Sequence, residues 1–508
     1  MKVHKIFIAF FTGILAILSC DADKLELSNP NELDPSTYFK TPAQVQAAVN
    51  ACYANLQTTG LYSRVMFFGY DNMAYENSGN SQLESDKRQY LDYSFDPSHG
   101  AIGAYWESCY RGINKCNFVI NNDSLINAIL PSVLSQELKD KFIGEARFLR
   151  AFYYFLLVTR FGDVPLETEI PTPTSIGKER TPKEQIWNLI KEDLTFASTY
   201  CLENADEEDG RVTSGAAYAL LGKSHLYLQE YDEALAAFNN IYGDYALGNF
   251  EDNFIEETEH GVEHIFDVEF DYALGDGDKW NSDRAGAGLN EVTFRGQEYG
   301  WHDWFNVYPS DNLLDEFEAG DPRYAMSFYS NGDSYAGGVV AIPSGRRAGW
   351  RKYQNYYKMA NENMASGINF RVIRYADVLL MMAEAEANRP GGDLATAIDF
   401  MNEVRTRPGV DMPPYPTAEY PITNLDEFMV ALEHERKVEL AGEQVRINDL
   451  VRWGRLKSFI ENEIWPNLSS NDRAANLWKD GKELWPIPQA EIDANESLDN
   501  TDQNPAYQ

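Results

Sequence analysis

Residues 218–238 read YALLGKSHLYLQEYDEALAAF, and this stretch decides the fold that the sequence predicts. The residues that match the spacing of a tetratricopeptide helix pair are Tyr218, Leu221, Gly222, Tyr231, Ala234 and Phe238. Small side chains at Gly222 and Ala234 let two helices pack closely, and the larger ones fill the groove between them. The same offsets recur at Ala385, Ala397 and Met401. The pattern therefore predicts a mostly α fold with a few separated tetratricopeptide-like helix pairs as its scaffold.

Helical periodicity covers much of the remaining chain. Thr41 before Pro42 and Thr181 before Pro182 are typical of an N-cap followed by a helix start. One strand is expected at 263–270, where apolar and polar residues roughly alternate. The expected helices are 42–57, 100–128, 135–161, 182–200, 212–229, 231–241, 371–388, 393–406, 424–442 and 446–459.

The segment that follows the expected strand differs from the helical parts. Residues 271–350 are rich in Gly, Asp, Asn and aromatic residues, and they lack a helical period except near 311–318. They indicate a loop-rich, partly β insertion that carries a binding face. The predicted organisation is a signal peptide at 1–19, a tether at 20–40 and a single domain at 41–508, divided into helical 41–262, loop-rich 263–350 and helical 351–508.

The charge of the chain constrains its partners. The 508 residues carry 43 Lys and Arg against 79 Asp and Glu, a formal net charge of −36. Such a field repels nucleic acid and acidic polymers at long range, so we expect no nucleic-acid partner and favour a neutral ligand. A local basic pocket can still override the global sign.

The N-terminus is typical of a bacterial lipoprotein. Lys2 and Lys5 precede a short apolar run, which ends at Ser19 and Cys20. The run is too short for a typical spanning helix, and its end resembles a lipobox, in which the Cys thiol is lipidated. Several acyl chains would anchor Cys20 almost irreversibly.

The other four cysteines are expected to be buried free thiols. Cys109 and Cys116 are separated by about 10 Å along one helix, which is too far for a disulfide. Cys52 and Cys201 show no metal-site or disulfide spacing.

Three patterns resemble metal or catalytic motifs but lack the geometry or the residues that such sites require. His260 and His264 fit an inverted zincin pattern, but in a strand their imidazoles would lie about 13 Å apart. Asp276, Asp278 and Asp283 suggest calcium, although Trp280 occupies a ligand position and the final glutamate is absent. Chance carboxylate pairs are unavoidable among 79 acids, and no nucleophile has a recognisable context. We therefore expect no metal, no cofactor and no catalysis.

Taken together, several segments resemble the SusD/RagB family of outer-membrane lipoproteins, and they cover nearly the whole mature chain. They are 105–107 (YWE) with 114–117 (NKCN), 144–151 (GEARFLRA), 161–166 (FGDVPL), 317–323 (FEAGDPR), 374–380 (RYADVLL), 435–436 (ER), 449–454 (DLVRWG), 484–488 (LWPIP) and 503–505 (QNP). The arginines within these segments are expected to form buried or half-buried ion pairs rather than to bind a ligand.

The resemblance implies a surface-exposed protein that binds an oligosaccharide or polysaccharide without cutting it. It also implies delivery of that glycan to a SusC-like, TonB-dependent transporter in the outer membrane. Two alternatives remain open: a tetratricopeptide-type adaptor for another protein, and a surface glycoside hydrolase. The sequence does not identify the glycan.

Exposed aromatic residues in polar loops are the candidate glycan-binding residues, because sugars present flat apolar faces to aromatic rings. Trp280, Trp301 and Trp304 lie in such loops, with Arg295 close to the last two. Tyr75 and Asn77 lie in a loop that the SusD/RagB family places near its site. The six site residues predicted are therefore Trp280, Trp301, Trp304, Tyr75, Arg295 and Asn77.

Cys20→Ala is expected to release the protein from the outer membrane, because it removes the only thiol available for the lipid. Fractionation of cells and protease treatment of intact cells would measure this. A variant that stays in the outer membrane and remains open to protease would contradict the lipid anchor.

Overall fold

The computed structural model describes residues 38–171, 177–275, 280, 282, 291–362 and 366–508, and this part of the chain is mostly helical, as predicted. The signal peptide, Cys20 and most of the tether lie outside these residues. The helices are α1 (Pro42–Ala54), α2 (Val65–Asp71), α3 (Ser85–Asp92), α4 (Gly100–Ile120), α5 (Asp123–Asn127), α6 (Gln136–Phe161), α7 (Lys183–Tyr200), α8 (Ser214–Tyr227), α9 (Tyr231–Phe238), α10 (Arg295–Tyr299), α11 (Asp311–Leu314), α12 (Arg323–Ser327), α13 (Tyr375–Asn388), α14 (Leu394–Arg405), α15 (Leu425–Glu439), α16 (Arg446–Arg452), α17 (Leu456–Phe459), α18 (Ser470–Ala475) and α19 (Gln489–Ala494).

The strands are short and pair only in antiparallel twos within the described residues. The pairs are β1 (Asn77–Gly79) with β5 (Val307–Pro309), β2 (Val164–Pro165) with β3 (Arg180–Thr181), β4 (His264–Val268) with β10 (Phe370–Arg374), β6 (Phe328–Tyr329) with β9 (Gly349–Trp350), and β7 (Ser334–Tyr335) with β8 (Gly338–Val339). Four of the five pairs involve the loop-rich segment 263–350, which is therefore partly β, as predicted.

Helix ends explain where the sequence prediction held and where it did not. Thr41 caps α1, because its hydroxyl accepts a hydrogen bond from the Gln44 N–H. The side-chain oxygen of Gln44 in turn accepts the Thr41 N–H. Thr181 was expected to cap α7, but it lies in β3, and Pro182 is the cap residue without a side-chain bond. Residues 371–374 were expected to be helical, but they form β10, because they pair with β4.

The tetratricopeptide-like pairs are present at the predicted positions. Helices α8 and α9 pack against each other, as do α13 and α14. A Cβ atom on Gly222 would lie 2.4 Å from the ring of Phe238, so only glycine allows this approach. Ala234 is completely buried in the same contact region. No described helix combines the length and apolar character needed to cross a membrane.

Buried ion pairs join the helices to the loop-rich segment. Arg374 donates to Glu439 Oε1 at 2.8 Å and to Glu443 Oε2 at 2.8 Å, and all three residues are buried. Arg323 of α12 pairs with two carboxylates of α15, Glu435 Oε1 at 2.5 Å and Glu439 Oε2 at 3.0 Å. These contacts agree with the expected structural role of the arginines. Further members of this buried network are Glu263, Asp321, Arg405 and Arg407.

Another buried ion pair links the two tetratricopeptide-like parts. Asp377 of α13 accepts from Lys223 Nζ at 3.0 Å and from Arg436 Nη1 at 2.9 Å. Burial by itself would raise the pKa of Asp377, but the two neighbouring cations lower it to about 2.

Ala234→Leu is expected to lower the free energy of unfolding by about 1–3 kcal/mol, because three added carbon atoms overpack the contact between α8 and α9. Thermal unfolding would measure this. Ala236→Leu, at an exposed position of the same helix, is the matched control. An unchanged melting temperature for Ala234→Leu would contradict the helix-pair register.

Asp377→Asn is expected to cost about 3–5 kcal/mol near neutral pH, because it leaves the buried Lys223 and Arg436 with less compensating charge. The folded-state pKa of Asp377 lies below its ordinary value of 3.8, so its stabilisation is present above about pH 4 and is lost as the pH falls towards 2. The stability difference between parent and variant should therefore narrow from pH 6 to pH 3.

Denaturant titrations at the two pH values would test this narrowing. Asp232→Asn, which replaces an exposed carboxylate 3.8 Å from Arg389, is the control and should change stability little at either pH. If the stability difference between the parent and Asp377→Asn is the same at both pH values, the lowered pKa of Asp377 is contradicted.

Candidate binding site

Two exposed tryptophans form an aromatic platform on the loop-rich face. Trp280 exposes 47% of its surface and Trp304 exposes 37%. Their ring centroids lie 6.3 Å apart, and the two ring planes differ by 24°. Single exposed apolar residues are common on protein surfaces, but two adjoining exposed rings form a contiguous apolar patch, which makes this pair a candidate binding surface.

Arg64 and Phe294 support Trp280 from within the protein. The Phe294 ring lies 4.3 Å from the Trp280 ring, and the Arg64 guanidinium carbon lies 5.3 Å from the same ring. Arg64 is held in turn by Glu298 Oε1 at 2.6 Å and by Glu84 Oε2 at 3.1 Å. The orientation of Trp280 is therefore fixed by a cation that is itself paired with two carboxylates.

Backbone bonds to α10 position Trp304. Its N–H donates to the Gln297 carbonyl at 3.1 Å, and the Asn306 N–H donates to the Glu298 carbonyl at 2.9 Å. The Asn306 side chain also donates to Glu298 Oε2 at 2.5 Å. Glu298 thus connects the supports of both tryptophans, because its carboxylate binds Arg64 and Asn306 at once.

Trp301 does not belong to the exposed platform, and its predicted exposure is wrong. It is 6% exposed and packs with Phe305 and Tyr356 in a small apolar cluster beneath the loop-rich face. Other members of this cluster are Tyr329, Val340 and Ile342. The two tryptophans differ because the backbone turns at 301–304, which leaves Trp301 on the buried side and Trp304 on the exposed side.

Tyr75 and Asn77 are core residues rather than exposed site residues. The Tyr75 hydroxyl accepts from Asn476 Nδ2 at 2.7 Å, and burial raises its pKa above the ordinary value. Asn77 Oδ1 accepts the indole N–H of Trp350 at 2.8 Å, and its amide donates to Tyr299. Tyr75 is 7% exposed and Asn77 is 1% exposed, so the predicted exposure is wrong for both.

Arg295 is also buried, although it was expected to lie beside the tryptophans. It is 1% exposed, donates to the Gly442 carbonyl at 2.8 Å and lies 4.4 Å from the Tyr299 ring. The cation near the platform is Arg64 instead. Sequence reasoning missed Arg64 and Phe294 because neither lies in a motif, and only the fold brings Arg64 to Trp280.

The histidine motif has a geometry that differs from the expectation. The rings of His260 and His264 lie 5.0 Å apart, not about 13 Å, because His260 adopts a left-handed backbone with φ of 56° and the chain reverses before β4. His260 Nε2 lies 3.0 Å from Glu269 Oε2. Among the described residues, no cluster of His, Cys, Asp and Glu has the arrangement of a metal site. Asp276, Asp278 and Asp283 lie outside the described residues.

The four cysteines of the folded part are free and buried, as predicted. Burial raises the pKa of the Cys109 thiol well above its ordinary value, so it stays protonated at neutral pH. Cys52, Cys116 and Cys201 are likewise buried in the core. None of these thiols is exposed near the aromatic platform.

Comparison with known families identifies the class of protein. A family model described as "SusD family" matches residues 262–507, and one described as "Starch-binding associating with outer membrane" matches residues 23–228. Together they span both helical parts and the loop-rich segment, and the chain belongs to the SusD family. The expected outer-membrane association agrees with the description of the second family model.

Individual relatives extend over the whole chain. SusD-like protein P2 of Formosa agariphila is 27% identical over 100% of both chains. A SusD-like protein of Bacteroides ovatus is 24% identical and covers 90% of this chain and 83% of its own.

Solved structures share the fold. A SusD superfamily protein from Bacteroides vulgatus superposes with a TM-score of 0.76 and 24% identity, covering 93% of this chain and all of its own. A structure described as a laminarin-binding SusD-like protein gives a TM-score of 0.75 with 24% identity, over 92% and 100% of the two chains. The helical scaffold with small sheets is therefore the SusD-like fold.

Proposed function

We propose that this protein captures a neutral oligosaccharide or polysaccharide on the platform formed by Trp280 and Trp304. The observation that carries the proposal is the pair of exposed, nearly parallel rings 6.3 Å apart. Sugar rings stack on such surfaces through their apolar C–H faces, and each contact of this kind contributes about 0.5–1.5 kcal/mol beyond the buried area. The binding of laminarin by a relative with the same fold supports a glycan as the ligand.

The charges around the platform favour a neutral glycan. Arg64, which the described residues place beneath Trp280, is already paired with Glu298 and Glu84. Across the chain the net charge is −36. An anionic glycan would approach this surface against a repulsive potential.

The protein is proposed to act as a non-catalytic surface receptor that delivers the glycan to a SusC-like, TonB-dependent transporter. A lipid on Cys20 would hold it at the outer surface of the outer membrane, above that transporter. This role needs binding without bond cleavage, and the described residues of the platform are aromatic rings supported by the ion pairs of Arg64.

Trp280→Ala and Trp304→Ala are each expected to weaken glycan binding by about 1–2 kcal/mol, or roughly fivefold to thirtyfold, because each removes one stacking surface. Calorimetry with laminarin and starch oligosaccharides would measure it. Trp301→Ala, in contrast, is expected to lower the melting temperature, because it opens a cavity in the buried cluster.

Tyr242→Ala is the matched control, because Tyr242 is an exposed aromatic residue (44%) that packs on Phe400 of the helical scaffold. Its glycan affinity should equal that of the parent. If Trp280→Ala and Trp304→Ala bind as tightly as Tyr242→Ala, the glycan does not bind on this platform. Steady release of reducing ends during incubation would contradict the non-catalytic role.

A further inference from the structure

A cleft of about 580 Å³ lies where the end of α6 meets the start of α7 and the helix α16. Its lining contains four cations, Arg160, Arg180, Lys183 and Arg452. Two carboxylates, Asp163 and Glu184, also line it. The formal charge of the lining is therefore positive, on a protein whose net charge is −36.

Arg160 is the unusual member of this lining. Its side chain is fully buried, with the guanidinium 5.0 Å from the Tyr70 ring and one amino group bound to Asn448 Oδ1. Its Nε and Nη1 atoms have no hydrogen-bond partner, and no carboxylate pairs with it, among the residues that the structure describes. A buried cation without a countercharge is costly, so an anion nearby would stabilise it.

Arg180 adds a second positive charge that only neutral oxygens contact. It donates to the Asp163 carbonyl at 2.8 Å and to Asn504 Oδ1 at 2.7 Å. Burial lowers the pKa of Arg180 somewhat, and no described carboxylate forms an ion pair with it. Arg452, in contrast, is compensated, because Glu384 and Asp449 lie 2.6 and 2.8 Å from its Nη2 atom.

Two further features of the walls favour an anion. The hydroxyl of Tyr227 is buried and has no hydrogen-bond partner among the described residues, so it offers a donor. The first turn of α7, an 18-residue helix, also lines the cleft through Lys183, Glu184 and Trp187. The Lys183 N–H of this turn already donates to Asp163 Oδ1 at 2.9 Å, so the helix start contributes the Lys183 charge and the helix dipole rather than a free N–H group.

We infer that this cleft binds a small oxyanion, namely a carboxylate, sulfate or phosphate group. The side chains of Arg180 and Lys183 would contact the anion at the mouth of the cleft, and Arg160 would supply uncompensated charge from its floor. The oxyanion can come from a free ion or from an acidic sugar, and both present the same negatively charged oxygens. The lining of this cleft shares no residue with the tryptophan platform.

Calorimetric titration of the purified chain with sulfate, phosphate and glucuronate, at constant ionic strength set with sodium chloride, would test the inference. At least one of the three should bind with one-to-one stoichiometry. Sulfate or phosphate binding without glucuronate binding would assign a free ion, and the reverse would assign an acidic sugar. Glucose serves as the uncharged comparison and should not bind in this cleft.

Variants locate the site. Arg160→Gln should lower the affinity for the anion by about tenfold or more, because it removes a buried charge. Lys183→Gln should weaken it about twofold to fivefold, because Lys183 is exposed. Lys457→Gln removes an exposed lysine outside this lining, one that pairs with Asp480, and is the matched control.

If Arg160→Gln does not fold, Lys183→Gln decides the question, since its exposed side chain can be replaced without disturbing the core. The inference is overturned if none of the three anions binds, or if Lys183→Gln and Lys457→Gln retain equal affinity.

Discussion

Buried charge compensation holds the loop-rich segment of this protein to its helical scaffold. The strands of that segment are too short to form an extended sheet, so backbone pairing alone cannot fix it. Arg323 of α12 and Arg374 of β10 instead converge on Glu439 of α15. Each of these charges is costly in a buried site unless its partner is present, so the network is satisfied only when the segment and the helices occupy this one arrangement. The tryptophan platform depends on it, because Trp304 is part of the same segment.

The helical scaffold could be read from the sequence because its information is local. A helix repeats every 3.6 residues, and the small residues Gly222 and Ala234 show directly where two helices approach. The predictions that failed concern segments whose secondary structure is set by partners far away in the sequence. Residues 371–374 continue an apolar pattern into α13, yet they form a strand because β4 lies about one hundred residues earlier and pairs with them. Thr181 likewise joins a strand pair instead of capping a helix.

The candidate site could be read only in part, for the same reason. Exposed tryptophans in polar loops were a sound signal for Trp280 and Trp304, since composition reports on solvent exposure. The resemblance to the SusD/RagB family also suggested Tyr75 and Asn77, but Asn476 and Trp350, from distant parts of the chain, contact and bury them. Arg64, which orients Trp280, shows no sign of this role in its own neighbourhood of the sequence.

The small apolar cluster beneath the loop-rich face is separate from the main core. Trp301, Tyr329 and Tyr356 pack among themselves and their neighbours, whereas the main core runs through the helices. A volume-conserving substitution in the small cluster would therefore change the shape of the face above it without repacking the helices.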